Sequence, residues 1–284
     1  MAAISYWFLS PSVLLALLGK LRGWDRTKPT PAFDWKTATL DVVIPARNEE
    51  SSIALCLASL FTQDLRIRNV TVIDDASTDQ TAQVVRRYAE LSGKEVHLVV
   101  RAESQGKTPG VREQCEESNA DVLFVLDADT VLTHRNYASR LIENLFENAG
   151  VASACGEVSP LTRGRRRTII KTNPVLARME SEMGLERSGP SSGFHAILES
   201  LTVMYRTSLY VFLQRILYDG HMKLFGSRLN PSGCAVAYRT PRLRECFAHA
   251  GPQMGDNLTN SEDIFIGHFF SWKGWRNVQV RVKS

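Results

Sequence analysis

An α/β fold, a mostly parallel sheet with helices on both faces, is what this sequence predicts. Three observations carry the prediction. From Leu40 onward, short apolar runs alternate with longer stretches of helical spacing, the pattern of repeated strand-helix units. The first, second and fourth apolar runs end in Pro or Asp, and each reads as a buried strand opening into a loop. At 284 residues and 44% hydrophobic content, the chain can bury a substantial core.

Taken in order, "LDVVIP" from Leu40 reads as the first strand, and "EESSIALCLASLF" as a helix with Glu49 and Glu50 in its first turn. "NVTVIDD" is the second strand. "STDQTAQVVRRYAELSG" is a helix opened by a Ser or Thr cap and stopped at Gly93. "EVHLVVR", a helix around "TPGVREQCEESN", and "DVLFVLDAD" continue the series. A helix over 136–148 and a strand in "GVASACGEVS" follow. The alternation then stops at a basic loop, "TRGRRRTIIK", before a helix in "NPVLARMESEMGLER" and the breaker "SGPSSG". "FHAILESLTVMYRTSLYVFLQRILY" is strongly apolar, and reads either as a core helix or as one lying against lipid headgroups. "GCAVAYR" is strand-like, a Gly-rich loop runs to Asn260, "SEDIFIGHFFSWKG" is a helix, and "NVQVRV" is the last strand.

The N-terminus is apolar from Ile4 to Gly19, with Lys20, Arg22, Arg26 and Lys28 after it. A signal peptide carries its positive charge first, so cleavage is not expected. Ser10, Pro11 and Ser12 make the stretch marginal as a span, which needs about 20 apolar residues. The expectation is a membrane-associating segment with the rest of the chain on the cytosolic side, against the alternative of a buried or swapped terminal helix. "TKPTPAFDWKT" reads as a linker. The net charge of +4 is modest and dispersed, so no nucleic-acid partner is expected. Five cysteines lack any CxxC or zinc-ligand spacing and read as reduced packing residues of a cytosolic compartment.

Chemistry gathers at the strand ends, where open α/β sheets place ligands. Asp127 and Asp129 can converge on a hard dication together with phosphate oxygens, whereas an isolated pair of this kind reads more readily as turn capping. Asp74 and Asp75 can accept from a ribose hydroxyl or a base N–H, or cap the next helix; Asp79 reads as first-turn chemistry. "IPARNEE" brings Pro45, Arg47 and Glu49 to the first loop, with a strand terminator as the other reading of Pro45. Gly106 and Lys107 can reach a phosphate, although they lack Walker spacing. Glu262 and Asp263 alone read as ordinary first-turn acids. Trp272 and Trp275 suit either a sugar face or the core. His221, His249 and His268 read as packing or surface residues. The cluster from Arg163 to Arg167 suits a lipid phosphate, an anionic acceptor or headgroups, or a solvated loop.

The series "DVVIPARNEE", "VIDDASTD", "GK", "LDAD", "PSGCAVAYR" and "SED" followed by "KGW" resembles the inverting glycosyltransferases of family 2, from Leu40 to Val282. The resemblance implies a Rossmann-like sheet of GT-A type. It also implies that Asp75 and Asp74 contact the nucleoside, and that Asp127 and Asp129 hold the diphosphate through Mn²⁺ or Mg²⁺. Asp263 becomes the catalytic base with Glu262 beside it, and Gly233 and Cys234 shape the sugar pocket. Residues 1–37 are then the membrane-associating segment and linker, 38–160 the nucleotide-sugar half, and 161–284 the acceptor half. The implied activity is metal-dependent, inverting transfer from a nucleotide sugar, first of all a UDP-sugar, to a saccharide or lipid-linked acceptor at the cytosolic membrane face. A sugar-phosphate nucleotidyltransferase and a silent nucleotide-binding scaffold are the alternatives. The chain departs from polymerising relatives in lacking QxxRW, and it has Arg112 where the family often has Asn.

Overall fold

A computed structural model gives the fold and describes residues 11–22, 34–185, 193–254 and 262–281. Residues 1–10, the "TKPTPAF" part of the linker, "SGPSS", the end of the Gly-rich loop and Ser261 lie outside the described residues. Among the described residues the first element is α1 (Pro11–Arg22), followed by β1 (Leu40–Ala46), α2 (Ile53–Leu60), β2 (Asn69–Asp74), α3 (Thr81–Ser92), β3 (His97–Val100), α4 (Lys107–Glu117) and β4 (Val122–Leu126). The chain continues through α5 (Tyr137–Glu147), β5 (Val151–Cys155), α6 (Arg163–Thr172), α7 (Pro174–Met183) and α8 (Phe194–Phe212). A π-helical turn, Leu213–Tyr218, joins α8 to α9 (Asp219–Phe225), and β6 (Ala235–Arg239), α10 (Thr240–Met254), α11 (Glu262–Trp272) and β7 (Arg276–Gln279) complete the fold.

The seven strands lie in the order β3-β2-β1-β4-β6-β5-β7. All pairs are parallel except the two that β6 makes with β4 and β5. Side-chain alternation along β1 shows how the sheet is buried: Leu40, Val42, Ile44 and Ala46 join one core layer, and Val43 the other. The first layer packs α2, α3, α5 and α7 on one face; the second packs α4, α10 and α11 on the opposite face. Every residue of α2 is buried, which is why its pattern is apolar all round. Burying a side chain such as Phe124 or Phe270 contributes about 1.5–3 kcal/mol.

Three expectations need correction. The "TRGRRRTIIK" stretch is not a loop but helix α6, because the Thr162 side chain accepts from the N–H of Arg165 and the arginines that follow are good helix formers. Asn173 then ends α6 and caps α7 through the N–H groups of Val175 and Leu176. Second, the segment before Asn260 is mostly helical, as α10 begins directly after β6. Third, α3 has no Ser or Thr cap: Gln80 stands at its N-cap position without a side-chain hydrogen bond, and the carboxylate of Asp79 just before it accepts from the N–H and the hydroxyl of Thr81 and from the N–H of Glu50. Glu49 and Glu50 accordingly precede α2 instead of opening it.

No helix among the described residues is long and apolar enough to cross a membrane. Helix α1 docks on α9 through small residues. A Cβ at Gly19 would meet the Gly220 carbonyl oxygen at 2.0 Å, and one at Gly220 would meet that of Ala16 at 2.2 Å. The contact is closed by an ion pair from Lys20 to Asp219 and by Ser12 against His221.

Candidate active site

The C-terminal ends of β1, β2 and β4 open toward one another. Loops after β1 and β2 are laced together: the N–H of Asn48 donates to Ser77, the N–H of Thr78 to the Asn48 side chain, and the N–H of Glu49 to the Thr81 hydroxyl. Asn48 and Ala76 hold positive φ angles of 56° and 57° to make these turns. Pro45 lies past the β4 ladder, which ends at Val43, and Arg47 is exposed on the loop that follows.

Asp74 and Asp75 are both buried. Asp74 accepts from the N–H of Ser77 at 2.9 Å. Asp75 holds the loop after β3, accepting from the Ser104 hydroxyl at 2.6 Å, the N–H groups of Gln105 and Gly106 at 2.9 Å, and Arg101 at 3.2 Å. Burial alone would push its carboxyl up, but these donors outweigh it and hold Asp75 below the usual aspartate value. Arg101 also donates to Glu113 and to the Gly106 carbonyl, fixing the entry of α4.

Lys107, the first residue of α4, is the centre of the site. Its ammonium lies 2.7 Å from Asp127 and 2.6 Å from Glu262, with the Gly233 carbonyl at 3.4 Å. Burial works against this charge, yet the two carboxylates raise its pKa. Asp127 is pushed up by burial, opposed by Lys107 and assisted by Asp129 and Glu262. Glu49 is likewise pushed up by burial and then by the charge of Asp129. Asp129 is exposed at the rim.

Asp263 follows Glu262 in the first turn of α11 and leans on Gly233, where an added Cβ would meet its carboxylate oxygen at 2.9 Å. Burial and the neighbouring Glu262 raise its pKa. The Cys234 carbonyl receives the N–H of Asp127 at 2.8 Å, so adjacent backbone units touch both acid pairs. The structure thus brings together Glu49, Lys107, Asp127, Asp129, Glu262 and Asp263. Asp74, Asp75 and Arg47 stand on the flanking loops.

An oxygen-only set of like charges, with Asp127 and Glu49 raised partly by Asp129, fits a hard dication such as Mn²⁺ or Mg²⁺. Among the described residues no three His, Cys, Asp or Glu side chains form a ready ligand group. Two carboxylates suffice when substrate phosphates complete the shell.

Other candidates fall outside the site. Trp272 ends α11, about 13 Å along the axis from Asp263, and Trp275 lies beyond the helix. Trp275 packs on Phe270 at 5.7 Å, its core reading, and Trp272 is exposed beside His249. Arg112 is half-buried, with its guanidinium 5.7 Å from the Phe247 ring. Two site supports escaped the sequence reading. Gly267 lets α11 approach Leu229 and Asn230, where a Cβ would come within 2.5 Å of Asn230. Buried Asn277 donates to the Gly267 carbonyl and accepts from Ser153. Its only signal was a polar residue of low strand propensity inside "NVQVRV".

A Rossmann-like sheet with acid-tipped strands and an acid pair on a facing helix defines a GT-A type protein. The profile of glycosyl transferase family 2 matches residues 41–201, and the chain belongs to that family. It is 30% identical over 112 residues to 4,4'-diaponeurosporenoate glycosyltransferase of Staphylococcus haemolyticus, covering 38% of this chain and 28% of that protein. It is 31% identical over 93 residues to undecaprenyl-phosphate 4-deoxy-4-formamido-L-arabinose transferase of Pseudomonas aeruginosa, 32% of this chain and 27% of that one. The chain thus spans under a third of these relatives. Among solved structures, the mannosyltransferase PcManGT of Pyrobaculum calidifontis, in complex with GDP-Man and Mn²⁺, superposes with a TM-score of 0.64 at 18% identity, over 99% of this chain and 65% of that one.

Proposed function

We propose that this chain is a metal-dependent, inverting glycosyltransferase that moves a sugar from a nucleoside-diphosphate sugar to a saccharide or lipid-linked acceptor at the cytosolic face of a membrane. A UDP-sugar is the first donor to test. The observation that carries the reading is Lys107, whose single ammonium joins Asp127 at the β4 tip to Glu262 beside Asp263. Donor-side and acceptor-side acids thereby share one site.

In this reading Asp127 and Asp129 hold Mn²⁺ or Mg²⁺, which supplies charge neutralisation at the departing diphosphate. Lys107 adds a second positive charge at the same place, while Pro45, Arg47, Glu49, Asp74 and Asp75 belong to the loops that receive the nucleoside. Asp263 takes the proton of the acceptor hydroxyl, and its raised pKa suits a base working nearer neutrality. Attack opposite the leaving group inverts the anomeric centre. The first loop, "RNEESS", lacks the Gly-rich phosphate cradle of a nucleotidyltransferase.

The test replaces Asp263 with Asn. Transfer is expected to fall about 100-fold or more, while Mn²⁺-dependent stabilisation by the nucleotide persists. Undiminished transfer would remove Asp263 from the base role, and donor binding unaffected by EDTA would remove the metal.

A further inference from the structure

We propose that α1, α6 and α8 together form a docking surface for an anionic lipid bilayer, on which the chain lies flat without crossing it. The idea deepens the membrane-face part of the proposed function and needs none of its transfer chemistry.

Two helices present apolar stripes outward. On α1, Leu14, Leu18 and Leu21 are 52%, 43% and 86% exposed, while the small-residue face carrying Ala16 and Gly19 is the one packed on α9. On α8, Ile197, Leu201 and Met204 are 57%, 50% and 61% exposed at the same i, i+4, i+7 spacing. A folded domain ordinarily turns such stripes into its core. Here the rod that carries α8 runs on through the π-helical turn into α9, to which α1 is locked. In sequence, further apolar residues, among them Trp7, Phe8 and Leu9, directly precede α1.

Charge selects the occupant. Helix α6 carries Arg163, Arg165, Arg166, Arg167 and Lys171 with no acid, and Arg163 is ion-paired at 2.5 Å to Glu199 of α8, so the basic helix borders the apolar one. Helix α1 adds two cations and no acid; the rod from Phe194 to Phe225 has three cations against two acids. These segments hold a surplus of eight positive charges in a chain whose net charge is +4, so everything else is net acidic. A basic rim beside apolar stripes matches negative headgroups over acyl chains. The face of a second copy would meet its own positive charge.

The full chain is to be floated with vesicles of phosphatidylcholine alone and of phosphatidylcholine with phosphatidylglycerol. It is expected to partition into the anionic vesicles and to be released by salt. The variant Arg165→Glu/Lys171→Glu should lower the partition coefficient at least about thirty-fold. The variant Ile197→Ser/Leu201→Ser/Met204→Ser should abolish flotation. Equal binding to neutral vesicles, no flotation, or a dimer that the serine variant dissociates would each overturn the proposal. Nucleotide-dependent stabilisation, measured on the same proteins, reports folding and separates this surface from the transfer site: either can fail while the other stands.

Discussion

The ammonium of Lys107 stands 2.6 Å from a carboxylate oxygen of Glu262, and Glu262 is buried. That pair ties α4 to α11 across the mouth of the sheet. The same ammonium reaches Asp127, so one cation balances acids from two elements remote in sequence.

Replacing Lys107 with Met keeps the aliphatic stem and strips Glu262 and Asp127 of their counter-charge. Loss of one partner from a buried pair costs about 3–5 kcal/mol, and the lower end applies because Asp127 is about one-third exposed. Guanidinium unfolding without nucleotide should therefore show a fall of about 3 kcal/mol, and Lys107→Arg a smaller one. A change within about 0.5 kcal/mol, as at an ordinary surface position, would mean that the pair carries no weight.

Asp75 gives a pH signature. Its folded-state pKa lies below the ordinary value of 3.8, so its contribution is fully present above that value and is lost as pH falls through the folded pKa. Asp75→Asn presents an amide to four donors, and at neutral pH should cost about 1–3 kcal/mol. The gap between wild type and variant should narrow as the pH is taken below 3.8. Urea melts at both pH values measure it; a gap that does not change with pH would exclude the charged carboxylate as the loop's anchor.

Much of this was legible in the sequence, for physical reasons that differ by element. Strands β1, β2 and β4 are largely apolar runs because both their faces are covered, and the aspartates that end β2 and follow β4 stand out against that background. The neighbourhood of Lys107 was not legible, since nothing in "GK" says which carboxylates an eventual fold brings to its ammonium. The placement of β6 between β4 and β5 is likewise a non-local pairing without local signature. Helix α6 was misread because a run of arginines with one glycine looks solvated, while its start rests on the single hydroxyl of Thr162. Asp75 was read correctly as a strand-tip acid, yet its carboxylate is taken up largely by its own fold.

Gly233 and Asp263 supply the sharpest check on the base. In Gly233→Ala the new methyl would lie 2.9 Å from the Asp263 carboxylate oxygen, with its carbon at 3.1 Å, so the carboxylate must move. A displacement on the order of 1 Å at a reacting group costs roughly 100-fold in rate, and kcat should fall by about that much. With Asp263 as the proposed base, transfer needs it unprotonated, and the rate should decline as pH drops through its pKa. Burial and Glu262 set that acid limb above the ordinary aspartate value of 3.8. Pushing the carboxylate outward weakens both causes, and the limb should shift to lower pH in the variant. Steady-state rates across pH, with far-UV circular dichroism to establish the fold, read both effects at once. A variant with full kcat and an unmoved acid limb would show that the proton of the acceptor goes to some group other than Asp263.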